Sequence, residues 1–206
     1  MYMPPAFAVN DRAHALRVMT DHPFALLVGP ADDGTPFATH APLVAMDTAA
    51  GVVLEGHMAK ANPHWRWLAA QREVLAIFNG PSTYVSPAHY DTRMAVPTWN
   101  YVAVHVYGSI SLVEERADKD RLLKGLIERH EPAYAAQWRD LPEDFTSRML
   151  DAIVGFRIQA SRVEAKFKVS QNRSSSERER IGEAFAKGTA DEQRLAQWMR
   201  ILGAVA

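Results

Sequence analysis

Between Tyr101 and Leu112, aliphatic side chains fall on alternate positions. Val102, Val104, Val106, Ile110 and Leu112 are interleaved with Tyr101, Ala103, His105, Tyr107, Ser109 and Ser111. A period of two predicts an extended strand with one aliphatic face and one polar-aromatic face. A second long strand is predicted over 154–170, where Val163, Ala165, Phe167 and Val169 face away from Arg162, Glu164, Lys166 and Lys168. Shorter apolar runs predict strands over 24–28, 35–45, 52–56, 74–78 and 83–86, with turns at Asp32-Asp33-Gly34 and Asn79-Gly80-Pro81. Pro36 and Pro42 place the 35–45 strand near a sheet edge, because proline offers no ladder donor. Helices are predicted from an Asn10 cap through Met19, over 62–71, over 118–129, 133–138 and 143–152, and as a closing pair split at Gly188. Thr189 and Glu192 have capping-box spacing in the second of that pair. The polar stretch 170–180 reads either as a mobile segment or, through Ser174, Ser175 and Ser176, as a helix cap.

About six strands joined by tight turns, with helices mostly toward the ends, predict an α+β fold around an antiparallel barrel or sheet. The sequence has no internal repeat and no long linker. One domain over 1–206 is expected, with 174–206 as a C-terminal helical extension.

Composition narrows the function classes. Hydrophobic residues make up 48% and charged residues 23%, as in an ordinary globular protein, and a net charge of −1 gives no bulk attraction to nucleic acid or anionic membrane. With no cysteine, disulfides, thiolate metal sites and cysteine nucleophiles are excluded, which fits a cytoplasmic protein. The opening Met1-Tyr2-Met3-Pro4-Pro5 is not a signal-peptide pattern. Residues 94–113 are 20 uncharged positions in a row, but their period is that of a strand, not of a membrane helix. The histidines lack metal-ligand spacing, and no dinucleotide, Walker or nucleophile-elbow motif occurs.

Four stretches could carry chemistry. In 56–65, a strand runs into a helix start at Asn62-Pro63, with His57 and Lys60 between them. Two donors ahead of free helix N–H groups make a possible phosphate seat, although an ordinary helix start is the commoner meaning of such a pattern. In 78–90, Tyr84, Ser86, His89 and Tyr90 crowd near two prolines, as a ring-binding wall or as a rigid packed turn. In 96–101, Trp99 and Tyr101 flank Asn100 where the long strand begins, which suits a pocket or a subunit interface. In 166–173, Lys166 and Lys168 share a face with Gln171 and Arg173 just beyond, as a second anion contact or as a solvated, lysine-protected edge.

These stretches, in this order, resemble the PaiB family of FMN-binding negative transcriptional regulators. The resemblance runs through Met1-Tyr2, His22-Pro23-Phe24, residues 38–43 (Ala-Thr-His-Ala-Pro-Leu), Gly56-His57 and Ala61-Asn62-Pro63. It continues through residues 84–87 (Tyr-Val-Ser-Pro), 96–101 (Val-Pro-Thr-Trp-Asn-Tyr), 153–156 (Ile-Val-Gly-Phe) and 168–172 (Lys-Val-Ser-Gln-Asn). Lys60 stands where the family more often has arginine, so it donates without a bidentate fork. Ala88-His89 replaces a polar-tryptophan pair. The resemblance implies a split antiparallel β-barrel of the pyridoxamine 5'-phosphate oxidase-like flavoproteins, a homodimer with FMN at the subunit interface. It implies that His57, Lys60 and Asn62 hold the FMN phosphate, with Lys168 and Gln171 as added anchors. It brings Thr39 and His40 to the isoalloxazine, and makes Tyr84, Ser86, Trp99 and Asn100 its wall.

Two functions follow from the resemblance. One is a flavin-binding transcriptional regulator without turnover. The other is an FMN-dependent oxidoreductase acting on a small molecule, with His40, His89 and His105 as the residues to test. A haem-binding or empty barrel is a third reading. DNA is a weakly supported partner, because the closing helices carry nearly balanced charge and read better as a plain hairpin than as a DNA reader. No membrane partner and no metal are expected.

Overall fold

The computed structural model of the chain describes residues 1–205. In chain order the elements are β1 (Ala8–Val9), α1 (Arg12–Asp21), β2 (Phe24–Pro30), β3 (Pro36–Thr48), β4 (Gly51–Ala59), α2 (His64–Ala69), β5 (Val74–Val85), β6 (Thr98–Val113), α3 (Arg116–His130), α4 (Tyr134–Asp140), α5 (Glu143–Asp151), β7 (Ile153–Lys168), α6 (Ser175–Ala186) and α7 (Ala190–Ile201). The hydrogen-bonded strand order is β1-β7-β4-β3-β2-β5-β6, and β6 also pairs with β7. The strands form one seven-stranded sheet within the expected α+β fold. Contacts group the residues into two compact units. The first holds Met1–Val18, Asn79–His105 and the chain from Glu164 onward; the second holds Met19–Phe78 and Val106–Val163.

The second unit is built on β2, β3, β4, the first part of β5 and most of β7. Leu27, Leu54, Phe78, Phe156 and Ile158 are fully buried there. The turn between β2 and β3 is set by Gly34 at φ +82° and by Asp33, whose carboxylate accepts the Thr35 N–H at 2.9 Å. On β4, Glu55 is buried and accepts from Arg157 at 3.0 Å and from Arg121 of α3 at 3.3 Å. Gly108 of β6 marks a close approach to β7, since a Cβ there would stand 2.2 Å from the Gln159 carbonyl oxygen.

The strand β3 is not an edge strand. Residues 36–42 pair with β2, from Pro30↔Pro36 to Phe24↔Pro42, whereas 43–48 pair with β4, from Leu43↔Gly56 to Thr48↔Gly51. Pro42 falls where the strand passes from one partner to the other. Its missing N–H therefore interrupts neither ladder, and the proline that signalled an edge marks a handover.

The expected strands 74–78 and 83–86 are one strand, β5. Val74, Ala76 and Phe78 are buried on even positions, and Pro81 and Val85 on odd ones. The phase changes across Asn79-Gly80-Pro81, read in sequence as a turn. Gly80 leaves room there, since a Cβ would crowd the Val102 carbonyl oxygen at 3.1 Å.

In the first unit, Phe167, Val169, Ile181, Leu195 and Met199 are buried, and Trp198 packs edge-on to Phe167 at 4.7 Å. Asp11 rather than Asn10 caps the first helix, its carboxylate accepting the Ala13 N–H at 2.8 Å. The 170–180 stretch takes the capping alternative. Ser174 and Glu177 form a full capping box on α6, and the Glu177 carboxylate also accepts the Asp91 N–H at 3.0 Å. The Thr189–Glu192 box on α7 forms as its spacing indicated.

Candidate functional site

The expected site residues divide between the two units. Thr39, His40, His57, Lys60 and Asn62 lie in the second; Tyr84, Ser86, Trp99, Asn100, Lys168 and Gln171 lie in the first.

In the second unit, the corner where β4 leaves the sheet and α2 begins is held by a chain of hydrogen bonds. The Asn62 side-chain oxygen accepts the His64 N–H at 3.0 Å, the cap geometry expected of it. The helix that follows is shorter than the sequence suggested, ending at Ala69. Asn62 Nδ2 donates to Thr39 Oγ1 at 3.1 Å, and Thr39 Oγ1 lies 2.8 Å from Nδ1 of the fully buried His64. The Thr39 hydroxyl, with one proton and two lone pairs, accepts from the Asn62 amide and pairs with His64 Nδ1 in the direction the imidazole tautomer sets. The His64 Nε2 is buried with no hydrogen-bond partner among the described residues, and the ring packs edge-on to Phe37 at 4.8 Å. His64 is the residue that sequence reasoning missed; its position one residue beyond Asn62-Pro63 was the available signal.

Lys60 is fixed by its backbone and open at its side chain. Its N–H donates to the Ala152 carbonyl at 2.8 Å, and its carbonyl accepts from Trp65 Nε1 at 3.1 Å, while the residue is exposed. His57, on β4 opposite Gly155 of β7, is half-buried, and its Nδ1 is buried with no hydrogen-bond partner among the described residues. Burial lowers the pKa of His57, so the ring is neutral at neutral pH. It can offer an anion a hydrogen bond but not a charge. One of the helix N–H groups assigned to the phosphate, that of His64, is occupied by Asn62 itself.

Thr39 and His40 do not converge on one ligand. As neighbours on a strand they point to opposite faces. Thr39 turns to the Asn62–His64 chain, whereas His40 stacks on Phe24, with centroids 5.6 Å apart and planes 21° apart. Phe24 is 66% exposed, so that stack forms an open aromatic surface.

In the first unit, β6 shows the predicted two faces. Asn100, Val102 and Val104 are buried, whereas Trp99 is exposed and Tyr101, Ala103 and His105 are half-buried. Asn100 is therefore not a wall residue. It is fully buried and exchanges hydrogen bonds with Ser170, donating at 2.9 Å and accepting at 3.2 Å. Ser170 has φ +66°, a conformation uncommon outside glycine, and Asn100 holds it there. Ser86 caps a short turn, its hydroxyl accepting the Ala88 N–H at 3.2 Å. Gln171 folds onto its own strand, accepting from Val169 N–H at 2.8 Å and donating to the Phe167 carbonyl at 2.5 Å. Each amide end of Gln171 thus has a backbone partner, and its NH2 keeps one further N–H. Tyr84 and Trp99 remain open, with Met94 and Val96 also exposed.

The lysines of β7 are not a solvated edge. Ala8 of β1 pairs with Lys166, and the Tyr2 carbonyl accepts from Lys166 Nζ at 3.0 Å. Lys166 is 8% exposed, and its ammonium lies 5.3 Å from both the Tyr2 and Tyr101 ring centroids. Lys168 donates to Thr98 Oγ1 and lies 5.9 Å from the Phe7 ring. Its pKa is lowered by burial and then by the neighbouring positive charges of Lys166 and Arg173.

Comparison with known proteins follows this geometry. Residues 1–162 match the family described as "Putative FMN-binding domain". The chain is 35% identical over 179 residues to protease synthase and sporulation protein PAI 2 of Bacillus subtilis, covering 86% of this chain and 85% of that protein. It is 30% identical over 182 residues to an uncharacterized protein of Emericella nidulans, covering 73% of this chain and 72% of the relative. Among solved structures, an FAD and heme binding protein from Mycobacterium smegmatis superposes with a TM-score of 0.62 at 16% identity, over 78% of this chain and 73% of that one. The flavocytochrome Anf3 from Azotobacter vinelandii gives 0.61 at 16% identity, over 78% and 69%. At that identity the structural likeness concerns the fold alone.

Proposed function

Because this chain belongs to the FMN-binding domain family, alongside protease synthase and sporulation protein PAI 2, we propose that it is an FMN-binding, PaiB-like transcriptional regulator whose β4–α2 corner receives the phosphate end of the flavin. The observation that carries the assignment of the corner is His57. A buried imidazole nitrogen without a protein partner is costly unless a ligand completes it. Lys60, pinned by its backbone and free at its ammonium, supplies the positive charge that neutral His57 cannot. Thr39, Asn62 and His64 act as positioning residues that fix the turn carrying Lys60.

When bound, FMN supplies reversible redox chemistry. The exposed rings of Tyr84 and Trp99 offer apolar surface for an isoalloxazine or for the second subunit of a homodimer. The regulator reading rests on the resemblance of the sequence motifs to the PaiB family. The closing helices support indirect control better than direct DNA contact: Arg194 pairs with Asp191 at 3.1 Å, and Leu195, Trp198 and Met199 of the same helix are buried. The cysteine-free sequence supports a cytoplasmic location.

The test is the visible spectrum of the purified protein with an FMN titration. A saturable flavin spectrum is expected, and Lys60→Ala should weaken FMN by about 1–3 kcal/mol through loss of a charge-assisted bond. A protein that stays colourless and does not bind added FMN refutes the reading. Unchanged affinity in Lys60→Ala moves the phosphate elsewhere. Sustained turnover with NADH or NADPH would favour the oxidoreductase over the regulator.

A further inference from the structure

We propose that the cavity between α3, α4 and α5, within the second unit, binds a free amino acid with a large apolar side chain. The three helices occupy residues 114–152, between β6 and β7. Those two strands pair directly, and the end of one meets the start of the other: a Cβ on Gly155 would stand 3.1 Å from the Val113 Cβ. A turn of a few residues would join them. The helical block is therefore more than the topology requires. It leaves a cavity of about 580 Å³ between its helices, within the size range of small-molecule sites.

The cavity is propped open by polar bonds rather than filled by side chains. Leu122 and Leu126 of α3 are buried, whereas Arg116, Asp120 and Lys124 of the same helix line the cavity. Asp120 accepts the Trp138 indole N–H at 2.9 Å and pairs with Lys124, which ties α4 to α3. Arg116 donates to the Ser147 hydroxyl, and Lys119 Nζ to the Leu150 carbonyl at 3.0 Å, which ties α5 to α3. The Trp138 ring is thereby fixed, and Leu141 and Leu150 complete an apolar wall with it. A wall held in place beforehand loses little freedom when an apolar body settles on it.

Charge defines the other end of the ligand. Asp120, Lys124 and Arg116 are engaged as above. Arg139, in the last turn of α4, and Glu143, in the first turn of α5, also line the cavity. Among the described residues neither side chain has an ion-pair or hydrogen-bond partner, and they do not pair with each other. A guanidinium and a carboxylate that line one cavity without meeting offer opposite charges to whatever lies between them. An amino acid supplies the complement, with its carboxylate for Arg139, its ammonium for Glu143 and its side chain for the Trp138 wall. A simple carboxylic acid would set a like charge beside Glu143, and a simple amine would do the same to Arg139.

L-Phenylalanine, titrated calorimetrically into the full chain, is the probe. Saturable binding is expected. Glycine lacks the apolar body, and 3-phenylpropanoate and 2-phenylethylamine each lack one charge, so all three should bind at least about tenfold more weakly. Arg139→Met and Glu143→Gln should each weaken L-phenylalanine roughly ten- to hundredfold. Both side chains are exposed, so the melting temperature of the ligand-free protein should hold, which separates loss of a contact from loss of the fold. L-Phenylalanine that binds no better than glycine overturns the proposal, and so does binding that survives both substitutions. 3-Phenylpropanoate binding as tightly as the amino acid would overturn it too, because the site would then be one for a simple carboxylate. The titration needs no flavin, so a failure to bind FMN would refute the functional reading above and leave this one standing.

Discussion

Replacing Thr39 with valine isolates the hydrogen-bond chain that supports the β4–α2 corner. Valine keeps the branched shape and removes one oxygen. That oxygen accepts from Asn62 Nδ2 at 3.1 Å and lies 2.8 Å from His64 Nδ1. His64 is fully buried and its Nε2 already lacks a partner, so the substitution leaves the imidazole with no polar contact at either nitrogen. An unsatisfied buried group of this kind costs about 1–3 kcal/mol. The Asn62 amide is half-buried and can recover part of its loss from water, adding about 0.5 kcal/mol. The expected destabilisation is about 1.5–3.5 kcal/mol, or a fall in melting temperature of about 3–14 °C for a chain of this size. Trp65 and Trp67 lie on α2 itself, so urea unfolding followed by tryptophan fluorescence reports on the corner directly. The midpoint should drop with the slope unchanged. Thr39→Ser keeps the hydroxyl and should stay within about 1 kcal/mol of the wild type. A Thr39→Val protein within about 0.5 kcal/mol of the wild type would show that this chain does not hold the corner.

Two further outcomes are expected. Asn100→Ala removes both partners of Ser170 and should cost about 2–3 kcal/mol in thermal or urea unfolding, because a buried hydroxyl in a left-handed conformation is then left alone. Stability should also decline on mild acidification. Burial is the first cause of the lowered pKa values of His57, His64 and His105, so the unfolded chain binds protons that the folded one refuses. Their contribution is complete above about pH 6.5 and is lost as the pH falls from there toward the folded-state values. Glu55 adds a later loss. Burial raises its pKa, but its bonds to Arg157 and Arg121 outweigh that and hold it below the usual glutamate range, so its contribution disappears only as the pH falls through that lowered value. Urea midpoints at pH 7.5 and 5.5 measure the histidine step; equal midpoints would contradict it.

Local periodicity made most elements readable. The two long strands, the helical blocks and the capping box at Thr189 depend on neighbours in sequence, and the structure keeps them. The same periodicity could have corrected two site assignments: Asn100 shares parity with Val102 and so belongs inside, and Thr39 and His40 differ by one and so face apart. Other features were not local. Pro42 looked like an edge signal because the change of partner from β2 to β4 depends on two other strands. The 170–180 stretch looked mobile because Asp91, more than 80 positions upstream, helps to fix it. Lys166 looked solvated because its cover is the N-terminal segment.

The close approach at Gly108 bears on how the protein fails. Paired on one side with β5 and on the other with β7, β6 presents no free edge, but either pairing can be wedged apart. With 2.2 Å between a would-be Cβ and the Gln159 carbonyl oxygen, even alanine at position 108 acts as that wedge. Opening the β6–β7 seam would uncover unpaired backbone on two strands of 16 residues each, long enough to recruit the same strands from other chains. One hydrogen atom in place of a methyl group at this position is therefore what lets the two long strands lie side by side.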